Sequence, residues 1–511
     1  MNTQPFWLDT PGGGSEAFPS LGADLSADVL VIGGGITGIT AAFLLAREGK
    51  SVVLVERETI GARDTGHTTA HLTYMTDTRL SDLVATFSRR EAQLAWQAGA
   101  AAMDLIRENV DSLGIDCALK RVPGYLVAAA SGDVGEERAV LQAESEMAHQ
   151  FGFDVRFEDG GPVTGRPCIR FAGQMEFHPL KYLRAMAAAA VKAGARIFEN
   201  CEVTAFEEDP LLVHAGGHVI RYKQVVIATH VPLQGMAGTL GAALFQTKLA
   251  LYSTYAVAAR IPAELPVPDM IWSDTADPFL YLRIGGTGEE RMAILGGEDH
   301  KTGVVVETGE LYQRLEQLLL CMIPQAEITH RWSGQVVETV DGLPFIGPTS
   351  EAQFIATGFS GDGMTFGTTA AMMARDWVLG RRNPWADLFN PGRRSLSSFK
   401  EYVKENSGFP LRMVRDRLKV REGDPEDLGR GEARVMEFDC KRVAAHRDED
   451  GKLHVCSAVC PHLGCIVAWN EAESTWDCPC HGSRFTAGGK VIAGPAETDL
   501  EAVEMEETAN H

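Results

Sequence analysis

The sequence contains no apolar run of the length that a membrane-spanning helix needs, about 18 residues or more. Its N-terminal segment also lacks the basic stretch and following apolar stretch of a secretory signal peptide. Positive charge is scarce, because 47 Lys and Arg stand against 69 Asp and Glu, for a formal net charge of −22. Nucleic-acid affinity rests mainly on clustered Lys and Arg, so nucleic acid is excluded as a partner. We expect a cytoplasmic protein without a transmembrane segment.

Cysteine is sparse for the length of the chain, with ten in 511 residues. Wide spacing of cysteines is typical of a reducing compartment. Six are spaced in this way: Cys117, Cys168, Cys201, Cys321, Cys440 and Cys456. The other four, from Cys460 to Cys480, lie close together, and we expect a function only for this group.

The length of the chain predicts several domains, because 511 residues exceed what one hydrophobic core usually serves. After a loop-like leader at residues 1–26, the run ADVLVIGGGITGITAAFLLAREGKSVVLVER at 27–57 predicts a strand, a glycine turn, a helix and a second strand. Residues 80–150 are expected to be mainly helical, and residues 178–198 to form a helix followed by a strand. The chain thus begins with one βαβ unit.

Further strands follow in the middle of the chain. VVIATH at 225–230 predicts a buried strand, and the stretch at about 245–300 is rich in strand-forming residues. Residues 331–380 predict a last strand, a glycine-rich turn and a closing helix. This alternation predicts a sheet domain inserted into a doubly wound α/β domain.

A glycine motif lies between the first strand and the first helix. Gly33, Gly35 and Gly38 form G-x-G-x-x-G, in which the glycines permit a tight turn, a close approach to a pyrophosphate and close helix packing. Glu56 ends the next strand, where a carboxylate can bind ribose hydroxyls. The motif predicts dinucleotide binding, although by itself it does not separate FAD from NAD.

Two short segments near the C-terminus each offer one cysteine and one histidine. VCPHLGC supplies Cys460 and His462, and CPCHGS supplies Cys478 and His481. Two thiolates and two imidazoles are the ligands of a Rieske 2Fe-2S cluster, whose neutral histidines raise the potential to about −150 to +300 mV. A structural zinc site is the alternative, because the same four donors suit zinc.

The residues around these ligands favour iron and sulfur. H-L-G-C and C-P-C-H-G-S resemble the Rieske family over about the last 85 residues, which implies a small antiparallel β domain with both loops at its tip. The resemblance also implies a disulfide between Cys465 and Cys480, and a hydrogen bond from Ser483 to a cluster sulfide. Phe485 stands where such proteins often have a tyrosine donor, so we expect a potential in the lower or middle part of the Rieske range.

The central segments resemble a flavoprotein family. RWSGQVVETVDGLPFIGP resembles the C-terminal signature of the D-amino-acid oxidase and glycine oxidase family, and GFSGDGMTFG resembles the turn that faces the flavin ring. The resemblance, over about residues 27–385, implies FAD rather than NAD. It also implies several FAD contacts, namely those of Thr65, His67, Thr68, Val203, Gly361, Gly363 and Met364. Covalent attachment of flavin to His67 or His71 is left open.

These resemblances imply an α/β FAD-binding, Rossmann-like domain with an inserted α+β substrate domain, plus a C-terminal all-β Rieske domain. The expected boundaries are 27–385 for the oxidoreductase, 386–425 for a connector and 426–511 for the Rieske domain. From Pro391 to Arg421 there are nine Lys or Arg against three Asp or Glu. We interpret this basic segment as a docking strap, with membrane contact as the alternative.

The resemblance further implies an amine or amino acid as substrate, with electrons passing from reduced flavin to the cluster and on to an external acceptor. A dehydrogenase is expected rather than an oxidase. Catalytic residues are not assigned, although His178, Tyr281 and Arg283 are candidates for the substrate pocket, Arg283 as a carboxylate ligand. The alternative is an electron-transfer or redox-sensing protein without an organic substrate of its own.

Overall fold

The computed structural model describes residues 2–10, 17–231, 248–286, 288–304, 307–393 and 420–503. Most of the predicted connector at 386–425 therefore lies outside the described residues. Within them, no helix combines the length and the apolar character required to cross a bilayer. The α-helices are α1 (Phe6–Asp9), α2 (Ile36–Arg47), α3 (Asp64–His67), α4 (Leu80–Thr86), α5 (Arg89–Leu113), α6 (Val134–Gln150), α7 (Pro179–Lys192), α8 (Leu311–Met322) and α9 (Gly363–Val378).

The strands follow the chain in three groups. Residues 17–231 contain β1 (Leu25–Ser26), β2 (Val29–Ile32), β3 (Val52–Val55), β4 (His71–Leu72), β5 (Lys120–Val127), β6 (Val155–Glu158), β7 (Cys168–Glu176), β8 (Arg196–Phe198), β9 (Val203–Glu208), β10 (Leu211–Ala215), β11 (His218–Arg221) and β12 (Gln224–Ile227). Residues 248–393 contain β13 (Leu249–Arg260), β14 (Met270–Asp274), β15 (Tyr281–Gly285), β16 (Met292–Lys301), β17 (Glu327–Thr339), β18 (Phe345–Pro348) and β19 (Gln353–Thr357). Residues 420–503 contain β20 (Ala433–Phe438), β21 (Lys441–Arg447), β22 (Leu453–Ser457), β23 (Ala468–Asn470), β24 (Thr475–Asp477), β25 (Arg484–Thr486) and β26 (Val491–Ala493).

A six-stranded sheet forms the centre of the first domain, in the order β18-β19-β12-β2-β3-β8. Its pairs are parallel except for β18 with β19. All residues of β2 and β3 are buried, because VLVI and VVLV are apolar on both faces of a covered parallel sheet. Helices α2, α7 and α9 pack together beside this sheet. The βαβ unit predicted at 27–57 is the β2-α2-β3 unit of the structure.

The inserted domain is built on a nine-stranded sheet in the order β17-β13-β16-β15-β14-β5-β7-β4, with β6 paired to β7. Three distant chain segments supply its strands, so the sheet is completed only by long-range pairing. The region at 80–150, predicted to be mainly helical, contains α4, α5 and α6 with β5 between them. The predicted leader contains helix α1 and strand β1, and β1 joins a four-stranded sheet in the order β1-β11-β10-β9.

The C-terminal β domain consists of the antiparallel sheets β20-β21-β22 and β23-β24-β25-β26. Trp476 and Phe485 fill its core, each fully buried. One cysteine- and histidine-bearing loop connects β22 to β23, and the other connects β24 to β25. The short strands thus bring both loops to the same end of the domain.

Candidate cofactor sites

The glycine turn after β2 has no room for side chains. Gly33 has a φ of +109°, and a Cβ atom there would lie 2.4 Å from the carbonyl oxygen of Ala228. A Cβ on Gly38 would lie 1.9 Å from the oxygen of Gly33. Gly35 is the N-cap of α2, so the first amide groups of that helix face the space beyond the turn. This is the arrangement that binds a pyrophosphate.

Two polar side chains stabilise the turn from the side. Glu56 accepts hydrogen bonds from the amides of Gly34 (2.6 Å) and Glu58 (2.8 Å), and Thr65 Oγ1 accepts one from the amide of Ile36 (3.1 Å). Burial raises the pKa of Glu56, opposed by its two backbone hydrogen bonds. The carboxylate is therefore held in place beside the turn.

A cavity of about 450 Å³ adjoins the turn. Its lining includes nearly all of the residues expected to bind FAD, namely Gly33, Gly35, Glu56, Thr65, His67, Thr68, Val203, Gly361, Gly363 and Met364. Gly38 lies behind the lining, packed against Gly33. The crowded glycines, the helix N-terminus and the continuous cavity fit a dinucleotide.

The cavity is also lined by the nine-stranded sheet, and we call this part, which includes Thr254, Tyr281 and Asp299, the sheet wall. Thr254 Oγ1 and the hydroxyl of Tyr281 are 2.6 Å apart, and Thr254 also hydrogen-bonds to Asp299. Burial raises the pKa of Asp299 to about 6. Burial likewise raises the pKa of Asp77 and of Asp362 well above the usual range, so the cavity holds several carboxyl groups close to the predicted flavin-facing turn.

The histidines of the cavity differ in their contacts. The Nδ1 of His67 donates to the carbonyl of Ser333 (2.8 Å), and Trp332 Nε1 donates to the carbonyl of His67 (2.8 Å). His71 lies edge-on to Tyr281, with ring centroids 6.1 Å apart. Burial, together with the positive charge of Arg283, lowers the pKa of His71 to about 3, so its ring is neutral. Both candidates for covalent attachment thus line the cavity.

Of the three candidates for the substrate pocket, the structure brings only Tyr281 to the cavity. His178 caps helix α7, accepting from the amide of Lys181 (3.3 Å), and its Nε2 contacts Thr10 Oγ1 (3.1 Å). Arg283 forms an ion pair with Glu176 (3.3 Å) and donates to backbone carbonyls, including that of Phe177 (2.9 Å). Arg283 therefore lies outside the lining, engaged with Glu176 and with backbone carbonyls.

The two loops of the C-terminal β domain repeat one backbone design. The amide of Cys460 donates to the carbonyl of Cys465 (2.8 Å), and that of Gly464 to the carbonyl of Cys460 (2.9 Å). In the second loop, the amide of Cys478 donates to the carbonyl of Ser483 (2.7 Å), and that of Gly482 to the carbonyl of Cys478 (2.9 Å). Both glycines have a φ near +75°. The glycine four residues after each cysteine, which is part of both H-L-G-C and C-P-C-H-G-S, thus closes each loop.

These loops bring the four predicted ligands together. Cys460 and Cys478 are each 1% exposed, and their thiols are hydrogen-bonded to each other. The rings of His462 and His481 are nearly perpendicular, with centroids 5.0 Å apart. The Nδ1 atom of His462 is buried without a hydrogen-bond partner. Two buried thiols and two adjacent imidazoles fit a 2Fe-2S cluster.

A disulfide between Cys465 and Cys480 joins the two loops, with Cα atoms 6.5 Å apart. The sulfur of Cys478 lies within 4.8 Å of both disulfide sulfurs. These three sulfurs do not form a separate metal site, because two of them are bonded to each other. Ser483 Oγ accepts from the amide of Ala496 (3.1 Å) and also hydrogen-bonds to Cys460, so its hydroxyl hydrogen is directed to the ligand side.

The two sites are in contact with each other. Gln335 Nε2, on the strand β17 that lines the cavity, donates to the carbonyl of Gly482 in the second loop (2.8 Å). Residues Val491–Glu497 of the C-terminal β domain also line the cavity, and we call this segment the C-terminal wall. Sequence reasoning missed this wall, because its residues carry no cofactor motif and reach the cavity only through docking of the domains.

Comparison with known proteins identifies the families of both parts. The model of the family "FAD dependent oxidoreductase" matches residues 28–377, and that of the "Rieske [2Fe-2S] domain" matches residues 419–504. The chain is 32% identical over 498 residues to the putative Rieske 2Fe-2S iron-sulfur protein YhfW of Bacillus subtilis (strain 168), covering 96% of each chain. It is 23% identical over 381 residues to the probable oxidoreductase OrdL of Haemophilus influenzae, covering 71% of this chain and 85% of that protein.

Solved structures show the same fold. Glycine oxidase from Geobacillus kaustophilus has a TM-score of 0.59 at 21% identity, covering 72% of this chain and 99% of that one. L-proline dehydrogenase from P. horikoshii has a TM-score of 0.59 at 20% identity, covering 72% and 97%. The two family matches mean that the protein takes FAD and a Rieske-type 2Fe-2S cluster as cofactors.

Proposed function

Because the chain belongs to the FAD dependent oxidoreductase family and carries a Rieske [2Fe-2S] domain, we propose that it is an amine or amino-acid dehydrogenase that passes electrons from reduced flavin to its own cluster and on to an external acceptor. One observation carries this proposal: residues of the Rieske domain line the same cavity as the predicted FAD ligands. An acceptor docked against the FAD cavity would serve a dehydrogenase, whereas an oxidase passes its electrons directly to oxygen.

When bound, FAD accepts a hydride from the carbon next to the substrate nitrogen, and the cluster carries single electrons. We assign the FAD pyrophosphate to the turn of Gly33 and Gly35, and the ribose to Glu56. The four ligands of the cluster are assigned to Cys460, His462, Cys478 and His481, and the domain boundaries to 27–385 and 426–511. The cytoplasmic location stays a prediction.

The sheet wall would orient the substrate. Tyr281 and Asp299 are linked through Thr254, so a hydroxyl and a carboxyl face the cavity from one hydrogen-bonded group. No Lys or Arg of the described strands of the nine-stranded sheet lines the cavity. A substrate carboxylate would lack a cationic partner on this wall, whereas an ammonium group would find Asp299. The wall therefore favours an amine over an amino acid.

Anaerobic rapid mixing of the purified protein with two series of compounds tests the proposal. The first series contains benzylamine and N-methylated amines, and the second contains glycine, N-methylglycine and proline. We expect a member of the amine series to bleach the flavin absorbance and then to raise the EPR signal of a reduced Rieske cluster in the same protein. The order of the two signals would show that electrons enter at the flavin.

Two other results would contradict the proposal. If no compound of either series bleaches the flavin, but NADH with a reduced ferredoxin fills the cluster, the protein is an electron carrier without an organic substrate. If both cofactors stay oxidised with every donor, a redox-sensing role replaces the enzymatic one. Bleaching by the amino acids alone would keep the dehydrogenase and refute the preference for amines.

A further inference from the structure

The Rieske domain is docked on the larger domain through buried polar contacts. Asn470, which is 3% exposed, accepts from Thr308 Oγ1 (2.8 Å) and donates to the hydroxyl of Tyr255 on β13 (3.4 Å). Thr308 Oγ1 also accepts from the amide of Ala472 (3.1 Å), and the hydroxyl of Tyr312 donates to Glu473. Buried hydrogen bonds depend strongly on distance and angle, so this contact fixes one position of the domain.

The second cluster loop also touches the larger domain without a gap. Gly303 has a φ of +76°, and a Cβ atom there would lie 2.7 Å from the backbone nitrogen of Pro479 and 2.8 Å from the carbonyl carbon of Cys478. A Cβ on Gly482 would lie 2.5 Å from the Cβ of Leu251. Glycine at these two positions is what permits the approach of the two backbones.

At its other edge the Rieske domain reaches the cavity. The C-terminal wall, Val491–Glu497, lines the cavity together with Glu56, the residue assigned to the ribose of FAD, and with Val203, another expected FAD contact. Arg57 Nη2 donates to the carbonyl of Ile492 (2.9 Å) and so ties the wall to the end of the second strand of the βαβ unit. Through Ala496, the wall is also hydrogen-bonded to Ser483 of the cluster loop.

We propose that the Rieske domain is a fixed part of the FAD site: the C-terminal wall contacts bound FAD, and bound FAD in turn holds the Rieske domain in its docked position. The two effects are reciprocal, because a ligand that binds only the docked form stabilises docking by the same free energy that docking adds to its affinity. This inference goes beyond the dehydrogenase function and does not depend on the substrate.

Paired alanine variants of the full-length protein test it. Gly303→Ala places a Cβ against the backbone of the cluster loop, whereas Gly49→Ala, at a φ of +78° against +76°, has no atom within 4 Å. Both substitutions place an alanine at nearly the same positive φ, so the difference between the two variants reports docking. After removal of flavin with the cluster retained, we expect Gly303→Ala to raise the Kd for FAD, measured by fluorescence quenching, about tenfold or more over Gly49→Ala. Equal affinities would overturn the proposal.

A second pair of variants avoids the cluster loops in case Gly303→Ala loses its cluster. Thr308→Val removes two hydrogen bonds of the interface, and Thr369→Val removes hydroxyl contacts of an equally buried threonine within the larger domain. We expect Thr308→Val, but not Thr369→Val, to weaken FAD binding, and we expect both variants to keep the Rieske EPR signal.

Hydrogen exchange tests the C-terminal wall directly. In the unmodified protein, FAD should slow amide hydrogen exchange across Val491–Glu497. If the amides of this segment exchange at the same rate with and without FAD, the segment does not belong to the FAD site.

Discussion

Asp299 is a carboxyl group whose charge depends on what enters the cavity. It lies on the sheet wall, hydrogen-bonded to Thr254, and burial raises its pKa to about 6. Glu298, its neighbour in sequence, adds a smaller effect in the same direction. A cation next to Asp299 would restore the ionised form, because an opposite charge favours the charged state of a carboxyl. An anion would instead meet a site that already disfavours negative charge.

This environment predicts that the affinity for a cationic amine increases with pH. Asp299 is protonated below about pH 6 and ionised above it, so the ion pair is present at higher pH and lost as the pH falls through that value. For benzylamine, which stays cationic throughout, we expect the Kd to decrease about tenfold from about pH 5 to pH 8. Calorimetric titration of the oxidised protein measures this change.

Asp299→Asn should bind benzylamine weakly and with little dependence on pH. Asp64→Asn is the matched control, because Asp64 also lines the cavity but lies 3.4 Å from His230 and does not belong to the sheet wall. In this control, the Kd for benzylamine should still decrease from about pH 5 to pH 8. If the Kd of Asp299→Asn shows the same dependence on pH, the titrating group is Asp77 or Asp362, whose pKa values are raised as well.

At the scale of elements, the sequence predicts features formed within one stretch of chain and misses sites formed by residues from distant stretches. The strands and helix at 27–57 could be predicted, because Gly33, the apolar runs and Glu56 lie within one stretch of chain. The two cluster loops are local in the same sense, since each carries its cysteine, histidine and glycine within six residues. Of the sheet wall, only Tyr281 was expected in the pocket. Its assembly with Thr254 and Asp299 could not be predicted, because the three residues come from separate strands and carry no motif.

The pair of cluster loops depends on its cross-link. Cys465 and Cys480 are separated by 15 residues in sequence, and a cross-link over such a loop contributes about 3 kcal/mol to stability in the chain-entropy model. We expect the double variant Cys465→Ser, Cys480→Ser to lose its cluster at correspondingly lower denaturant, with a decrease of about 3 kcal/mol in the free energy of unfolding of the Rieske domain. Visible absorbance of the cluster in a denaturant titration measures this loss.

The control for that titration is Cys456→Ala, which replaces a buried thiol of the same domain without removing a cross-link. It should lose its cluster at a denaturant concentration closer to that of the unmodified protein. If the two variants show the same decrease in the free energy of unfolding, the disulfide does not stabilise the cluster loops.

For the whole molecule, the docking of the two domains brings the two cofactor sites into contact. The two cofactor sites meet at one interface, through Gln335 and Gly482 and through the C-terminal wall. The sequence indicated both domains by their motifs, but not this contact. Gly303 and Thr308 belong to no recognisable motif. Their part in the interface follows only from the three-dimensional contact of the Rieske domain with the larger domain.

This arrangement predicts little hydrogen peroxide during turnover. With the cluster in place, electrons from the flavin have an acceptor in the same molecule, so a substrate that bleaches the flavin in the absence of oxygen should yield little peroxide in air. Cys460→Ser, which removes a cluster ligand, should increase the peroxide formed per substrate consumed. A peroxide yield that is high and equal in both proteins would identify an oxidase.

The C-terminal wall also bears on the order in which the protein matures. Its residues are among the last described ones of the chain, and the fold that presents them is built around the cluster loops. Under the proposal that this wall contacts FAD, the FAD site is incomplete on the ribosome until translation has passed Glu497. Flavin would then be bound tightly only after nearly all of the described residues have been translated, so that a chain cut short before this segment would be released as a weak binder of FAD.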